Sequence, residues 1–316
     1  MERESSMSSL GIDVGGANLK IAGNGVADII YFPMWKMAGK LKDKLKEIAK
    51  RYGAEKAGIV ITAELADVFK SKEEGIRFVE RACRDVFKDV YFLDVHGNLM
   101  KEIKNPRLFS ASNWVASISF LLSEGYRDFL FVDVGSTTAD LIPVKDRIIS
   151  ALTDFERLKR GELIYFGVLR TPVFYVLRSF EGAKLCPEFF AITADVFRIT
   201  GDISEEDYTC ETPDGKGRSV EDCMRRIART VCCDLEELGE RKAKELAINA
   251  KKSMVRVLRR EIRRKVEEHG LKQVFACGIG EFLVEASYEC VRLSKIYGEF
   301  SKLFPAFAMF KLVENL

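Results

Sequence analysis

Residues 131–140, Phe131-Val132-Asp133-Val134-Gly135-Ser136-Thr137-Thr138-Ala139-Asp140, decide how the rest of the chain is read. The apolar run Phe129-Leu130-Phe131-Val132 predicts a buried strand. It ends on Asp133, turns through Gly135 and the hydroxyls of Ser136, Thr137 and Thr138, and resumes as Leu141-Ile142. Glycine in the turn permits backbone geometry closed to other residues, so amides can converge on an anion. The hydroxyls add donors, and the carboxylates suit a hydrated divalent cation. The chain carries this phosphate-plus-magnesium pattern twice: the first copy is Gly11-Ile12-Asp13-Val14-Gly15-Gly16-Ala17-Asn18-Leu19-Lys20.

Around the first copy, strands are predicted over 10–14, 19–23 and 27–32, the last stopped by Pro33. Leu41, Leu45, Ile48 and Ala49 recur at helical spacing over 38–51 with lysines opposite, and Gly53 supplies the stop. A buried strand over 57–62 follows. Ser71, with Glu74 three residues on, predicts a capping box at the next helix start. A strand over 90–95 leads to a helix over 113–124, capped by Ser110 or Ser112 and ended by Gly125. The order is βββαβαβα.

From residue 126 the pattern restarts, with strands over 129–134, 138–144 and 147–151. Residues 154–217 fit no simple unit and contain two polar knots, Arg170-Thr171-Pro172 and Glu206-Asp207-Tyr208-Thr209. Their apolar content argues for a functional insertion rather than disorder. Helices are predicted over 219–237, with Cys232 and Cys233 inside, and over 241–269. The latter has a core stripe of Leu246, Met254, Leu258 and Ile262 beneath a charge-laced, solvated face. A strand over 273–277, a tight Gly278-Ile279-Gly280 loop, a helix over 281–290 and a last helix opened by Pro305 complete the chain. The reading is α/β with domains at 1–125 and 126–316, the final helix over 305–315 placed to pack back on the first.

Composition narrows the function classes. Of 316 residues, 47% are hydrophobic, enough for a core in each half. The net charge of +2 gives no long-range pull toward nucleic acid or anionic membrane. No stretch approaches the roughly 18 consecutive apolar residues of a membrane span. Residues 1–9 are polar and read as a frayed extension, not a secretory signal. Eight cysteines without any C-x-x-C pair read as packed thiols in a reducing cytoplasm, not zinc ligands.

Two βββαβαβα halves, each with an Asp-x-Gly turn, resemble the actin-like, sugar-kinase and Hsp70 superfamily. That resemblance implies two RNase H-like domains, with Gly278 and Gly280 in an adenosine-facing loop. The Asp133-Val134-Gly135-Ser136-Thr137-Thr138-Ala139-Asp140 pattern resembles the hydantoinase/oxoprolinase branch. Further blocks include Tyr31-Phe32-Pro33-Met34-Trp35-Lys36, Thr62-Ala63-Glu64-Leu65-Ala66-Asp67, Ser110-Ala111-Ser112-Asn113-Trp114 and Asp207-Tyr208-Thr209-Cys210-Glu211. In that order they resemble the archaeal condensing enzymes of methanofuran biosynthesis. His96 stands where that family has an Asn, and Phe304 where it has a Thr, which puts a polar contact near the last helix in doubt. The resemblance implies that the phenol oxygen of γ-glutamyltyramine attacks an aminomethylfuran-methyl diphosphate, giving an aryl ether and pyrophosphate.

Residue roles follow from the chemistry. Asp13 and Asp133 are expected to hold Mg2+, because two carboxylates across a cleft are costly without a cation. The amides of Gly15, Gly16, Gly135 and Ser136, with Asn18, Thr137, Thr138 and Asp140 beside them, would bind phosphate. Lys20 is either a point charge for phosphate or an ordinary strand lysine. Glu64, after a buried strand, is the first choice for the base that takes the phenol proton; Asp195 and Asp207 are the runners-up. Arg170 suits a substrate carboxylate or phosphate. Trp114 stacks on an aromatic substrate or packs in the core, His96 is a turn residue, and His269 ends a helix. Two rival classes stay open: an ATP-dependent small-molecule kinase or oxoprolinase-like hydrolase, and a non-catalytic nucleotide switch. Partners are small molecules, as a monomer or homodimer.

Overall fold

The apolar strands need cover on both faces, and the chain supplies it by building two like sheets with helices around and between them. The structure, a computed structural model, describes residues 8–314 and 316. The first sheet comprises β1 (Ser8–Gly15), β2 (Asn18–Gly23), β3 (Val26–Tyr31), β4 (Ala54–Thr62), β5 (Asp89–Leu93) and β6 (Leu99–Met100), in the order β3-β2-β1-β4-β5-β6. β1, β2 and β3 form an antiparallel meander, and β4 and β5 run parallel to β1.

The second sheet repeats the plan with β7 (Phe129–Val134), β8 (Ala139–Lys145), β9 (Arg147–Ile148) and β10 (Leu163–Ile164). A separate hairpin pairs β11 (Ser179–Phe180) with β12 (Ala183–Lys184). The sheet then adds β13 (Gln273–Cys277) and β14 (Val291–Arg292), giving the order β10-β8-β7-β13-β14. Helices Leu41–Tyr52, Lys72–Arg84 and Asn113–Ser123 serve the first half and Glu240–His269 and Glu281–Ser287 the second, while the last helix, Phe304–Val313, returns to the first. Both halves therefore show the expected βββαβαβα order of an RNase H-like fold.

Several local expectations shift, each for a physical reason. β9 is two residues rather than five, because Glu162 takes the Ala151 amide at 2.8 Å and the Ser150 hydroxyl at 2.7 Å. β10 then supplies the remaining edge of β8. The helix expected over 219–237 is Val220–Arg229, with a short Leu235–Leu238 helix beyond it. Cys232, at φ 59, interrupts the helical path. Ser71 caps its helix as expected, accepting from the Glu74 amide at 3.2 Å, but Glu74 reaches back to Lys70 rather than to Ser71. Ser8 and Ser9 belong to β1, not to a frayed extension; residues 1–7 lie outside the described residues.

The halves share a core. The Phe304–Val313 helix lies across β1, β2 and β4 and against Asn113–Ser123. Gly11 makes this approach possible: a Cβ there would meet the Ala306 carbonyl oxygen at 1.9 Å. Phe304 is fully buried in an aromatic cluster with Phe120, Phe131, Tyr297 and Phe307, so its place is filled by packing rather than a polar contact. Leu246, Met254, Leu258 and Ile262 are fully buried along the long helix. Among the described residues no helix is long and apolar enough to cross a membrane.

Candidate active site

Each turn closes the first hairpin of its sheet. In the first, Asp13 pairs across the ladder with Lys20; in the second, Asp133 pairs with Asp140. Directly opposite residues share a sheet face, so each pair interacts. Lys20 Nζ lies 3.6 Å from Asp13 Oδ2, and Thr62 on neighbouring β4 donates its hydroxyl to Asp13 Oδ1 at 3.0 Å. Burial alone would lower the Lys20 pKa, but the charges of Asp13 and Asp133 outweigh it and raise it.

The second turn has no such internal partner. Burial pushes the Asp133 carboxyl up to about 7, with Lys20 opposing the shift and Asp140 and Asp13 adding to it. Arg157 relieves Asp140: its guanidinium bonds that carboxylate and also Asp154 Oδ1, the latter at 3.1 Å, and stacks 4.9 Å above Trp114. Trp114 is 1% exposed and is a core residue holding Arg157, not a free platform for a ligand.

Buttressing segments tie down the carbonyls of both turns. The Met34 and Phe32 amides donate to Gly16 and Ala17; the Val168 and Leu169 amides donate to Gly135 and Ser136. Of the amides expected to bind phosphate, Gly135 instead donates to Thr138 at 2.9 Å and Gly15 lies within β1, whereas the amides of Gly16, Ala17, Ser136 and Thr137 have no protein acceptor among the described residues. The expected use of backbone geometry closed to other residues is not met at Gly135, and Gly15 and Gly16 also lie outside the positive-φ region. A Cβ on Gly16 would meet nothing within 4 Å, so the protein's own packing makes no demand for glycine there. The open space is a cradle that a Cβ would narrow.

One cavity of about 260 Å³ joins the two turns. Asn18 and Lys20 line it from the first half; Asp133, Gly135, Ser136 and Gly278 line it from the second. The Asn18 Oδ1 atom is buried without a partner. Glu206, Asp207 and Thr209 also line the cavity, so that polar knot reaches the site. The Gly278-Ile279-Gly280 loop does not offer its glycine amides to a ligand: Gly278 donates to Ser301 and Gly280 to Val134, at 3.0 and 2.9 Å. Glycine at 278 instead serves packing, since φ is +85 and a Cβ would sit 2.3 Å from Asp133 Oδ1.

Other expected site residues lie elsewhere. Asp195 is fully buried and bonds Arg226 at 2.8 Å, Tyr208 at 3.0 Å and the Ile192 amide at 3.0 Å. That corrects its reading as a catalytic carboxylate; with its oxygens engaged it anchors the insertion. Arg170 stacks over Trp35 at 4.9 Å, and beside it Lys36 pairs with Glu211 at 2.7 Å, linking the two halves. Glu64 is 3% exposed and accepts from Ser110 at 2.5 Å. Ser110 is therefore not a helix cap, and Ser112 makes no cap bond either. His96 is a turn residue whose amide donates to Asp94, and His269 ends the long helix.

The donor set suits a magnesium ion only in company. Among the described residues no group of three or more His, Cys, Asp or Glu is arranged to hold a metal. Asp13 and Asp133 supply two carboxylates. Mg2+ is commonly bound by one or two carboxylates, waters and substrate phosphates, so these residues fit an ion brought with a diphosphate.

The hydantoinase/oxoprolinase family matches residues 55–311. A (4-{4-[2-(gamma-L-glutamylamino)ethyl]phenoxymethyl}furan-2-yl)methanamine synthase of Methanocaldococcus jannaschii is 37% identical over 325 aligned residues, covering 97% of each chain. A protein of the same name from Methanococcus vannielii is 31% identical over 204 residues, 60% of this chain and 92% of that one. A nucleotide-free structure of acetone carboxylase shares the fold with a TM-score of 0.50 and 12% identity, over 95% of this chain and 51% of that chain. The chain therefore belongs to the hydantoinase/oxoprolinase family, with these archaeal methanamine synthases among its relatives.

Proposed function

We propose that the protein is a transferase of methanofuran biosynthesis, joining a furan-methyl diphosphate to the phenol oxygen of γ-glutamyltyramine with release of pyrophosphate. The relatives carry the name of a synthase of that aryl ether, at 37% identity over 97% of this chain. The observation that carries the reading to the site is that turn residues of both halves line one cavity.

In this reading the unpartnered amides of Gly16, Ala17, Ser136 and Thr137 receive the diphosphate oxygens, and Lys20 adds a positive charge beside them. Asp13 and Asp133 would hold magnesium with the diphosphate, where the ion supplies charge neutralisation worth several kcal/mol as the diphosphate leaves. Asn18 Oδ1 is free to accept a hydrogen bond from the substrate's amine. The furan ring delocalises positive charge at its methyl carbon, so the carbon–oxygen bond to the diphosphate breaks early. The phenol, with a pKa near ~10, must lose its proton as the new bond forms, and Glu64 is the carboxylate we assign to receive it.

The test is coupling without nucleotide. Magnesium, the furan-methyl diphosphate and γ-glutamyltyramine should give the ether, detected by mass spectrometry. Turnover that requires ATP would sink the reading in favour of a kinase or lactam hydrolase; nucleotide binding without any turnover would favour a switch.

A further inference from the structure

Where the helix Val220–Arg229 ends, the residue in the left-handed position is a cysteine. The Cys233 amide donates to the Ala228 carbonyl at 3.2 Å, and the Cys232 amide to the Arg229 carbonyl at 3.0 Å. Those two bonds make a Schellman ending. It holds Cys232 at φ 59, where glycine is the usual occupant because a Cβ is penalised there. Helices Leu41–Tyr52, Asp154–Arg160, Thr193–Thr200 and Glu240–His269 stop on left-handed Gly53, Gly161, Gly201 and Gly270. A cysteine kept at such a position points to a role for its side chain.

That side chain meets a second thiol. Cys232 Sγ lies 3.2 Å from the Sγ of Cys186, which follows β12 and stands 46 residues back. The Cys186 amide donates to the Thr230 carbonyl at 2.8 Å, so backbone also joins the two segments. Cys232 is exposed and Cys186 half-buried, whereas Cys83, Cys210, Cys223 and Cys277 are buried as packed thiols. Cys233 has a different partner: its thiol donates to the Val231 carbonyl at 3.6 Å. The segment between Cys186 and Cys232 contains the Asp195–Arg226 pair and the Glu206, Asp207 and Thr209 wall of the cleft.

We propose that Cys186 and Cys232 form a reversible disulfide that fastens the two ends of this segment. The inference is independent of the reaction performed at the cleft. The exposed Cys232, as thiolate, attacks a low-molecular-weight disulfide; the oxidant's S–S bond breaks and one thiolate leaves. Cys186 Sγ, already in contact, then attacks Cys232 Sγ and displaces the second thiolate. Each protein thiol gives up one proton, and the pair gives up two electrons, which leave on the two reduced thiols of the oxidant. The Cys186 thiol titrates above its ordinary value, first through its hydrogen bond to Cys232 and then through burial, which leaves the first attack to Cys232. Under reducing conditions the pair rests as two thiols.

The test equilibrates the full chain with oxidised glutathione or with dithiothreitol, then alkylates it in denaturant and digests it without reductant. Mass spectrometry of the oxidised sample should find one cross-linked pair, Cys186 with Cys232, and the other cysteines alkylated. The oxidised chain should melt about 5–10 °C above the reduced chain. Cys186→Ser should melt alike under both conditions, while Cys233→Ser should keep both the cross-link and the shift. Cys232→Gly should lose the response to oxidant yet melt no lower than reduced wild type, since glycine takes the left-handed position without penalty. A bridge through Cys233, a glutathione adduct on Cys232 that does not close, or an oxidised chain that melts no higher than the reduced one would overturn the proposal.

Discussion

Asp13 and Asp133 end corresponding strands of the two halves, yet the residue across the ladder differs in sign. Lys20 faces Asp13, whereas Asp140 faces Asp133. The first turn is electrostatically complete within one hairpin. The second is not, and it borrows Arg157 from the inserted segment to compensate Asp140. One fold repeated twice has thus become two different devices. The first turn presents a cation beside its carboxylate; the second presents a carboxylate raised to about 7 and no cation of its own. The asymmetry also ties the insertion to the site, because the helix Asp154–Arg160 that carries Arg157 lies outside the repeated plan.

The largest expected effect comes from the undercompensated side. Asp133→Asn should lower coupling about 1,000-fold while the melting temperature does not fall, since the variant removes a buried charge. Full activity would remove Asp133 from the site and make the difference between the turns irrelevant. Next, Arg157→Met strands Asp140 in the core and should cost about 3–5 kcal/mol in denaturant unfolding. Adding Asp140→Asn should recover much of that loss; no recovery would mean Arg157 acts through Trp114 rather than through charge.

On the first turn the effect should be milder. The Lys20–Asp13 contact is 3.6 Å and Lys20 keeps a quarter of its side chain exposed. Lys20→Met should raise KM for the diphosphate about tenfold, equivalent to about 1.4 kcal/mol, with kcat little changed. A stability loss as large as that of Arg157→Met would break the comparison.

The smallest effect concerns Glu64, whose folded pKa is raised by burial. A carboxyl raised in the folded state favours folding with its proton on. Its contribution is therefore most favourable below the unfolded value of about 4.3 and is lost as pH rises toward the folded value. Glu64→Gln should accordingly melt slightly higher than wild type at neutral pH, with the gap closing in acid. A lower melting temperature at neutral pH would show that Glu64 is held ionised by structural partners.

What could be read from the sequence was local. The Asp-x-Gly turns, the strand alternation and helix stops such as Gly53 and Gly125 are set by nearest neighbours, so the repeated plan was visible. Long-range satisfaction was not. Asp195 looked catalytic because its partner Arg226 lies 31 residues on. Ser110 looked like a helix cap because its acceptor Glu64 lies 46 residues back. Arg157 gave no signal at all, since only the fold brings it to Asp140. Conversely, the Glu206 to Thr209 knot was legible as polar and unusual, but its place at the cavity follows from Tyr208 anchoring on Asp195.

If the paired turns grip a diphosphate belonging to the substrate rather than to a nucleotide, coupling needs no ATP. The most direct measurement is single-turnover coupling of the furan-methyl diphosphate to γ-glutamyltyramine with magnesium and no ATP, following ether and pyrophosphate together. The two products should form in equal amounts, with no change on adding ATP. Ether formation that depends on ATP would contradict it.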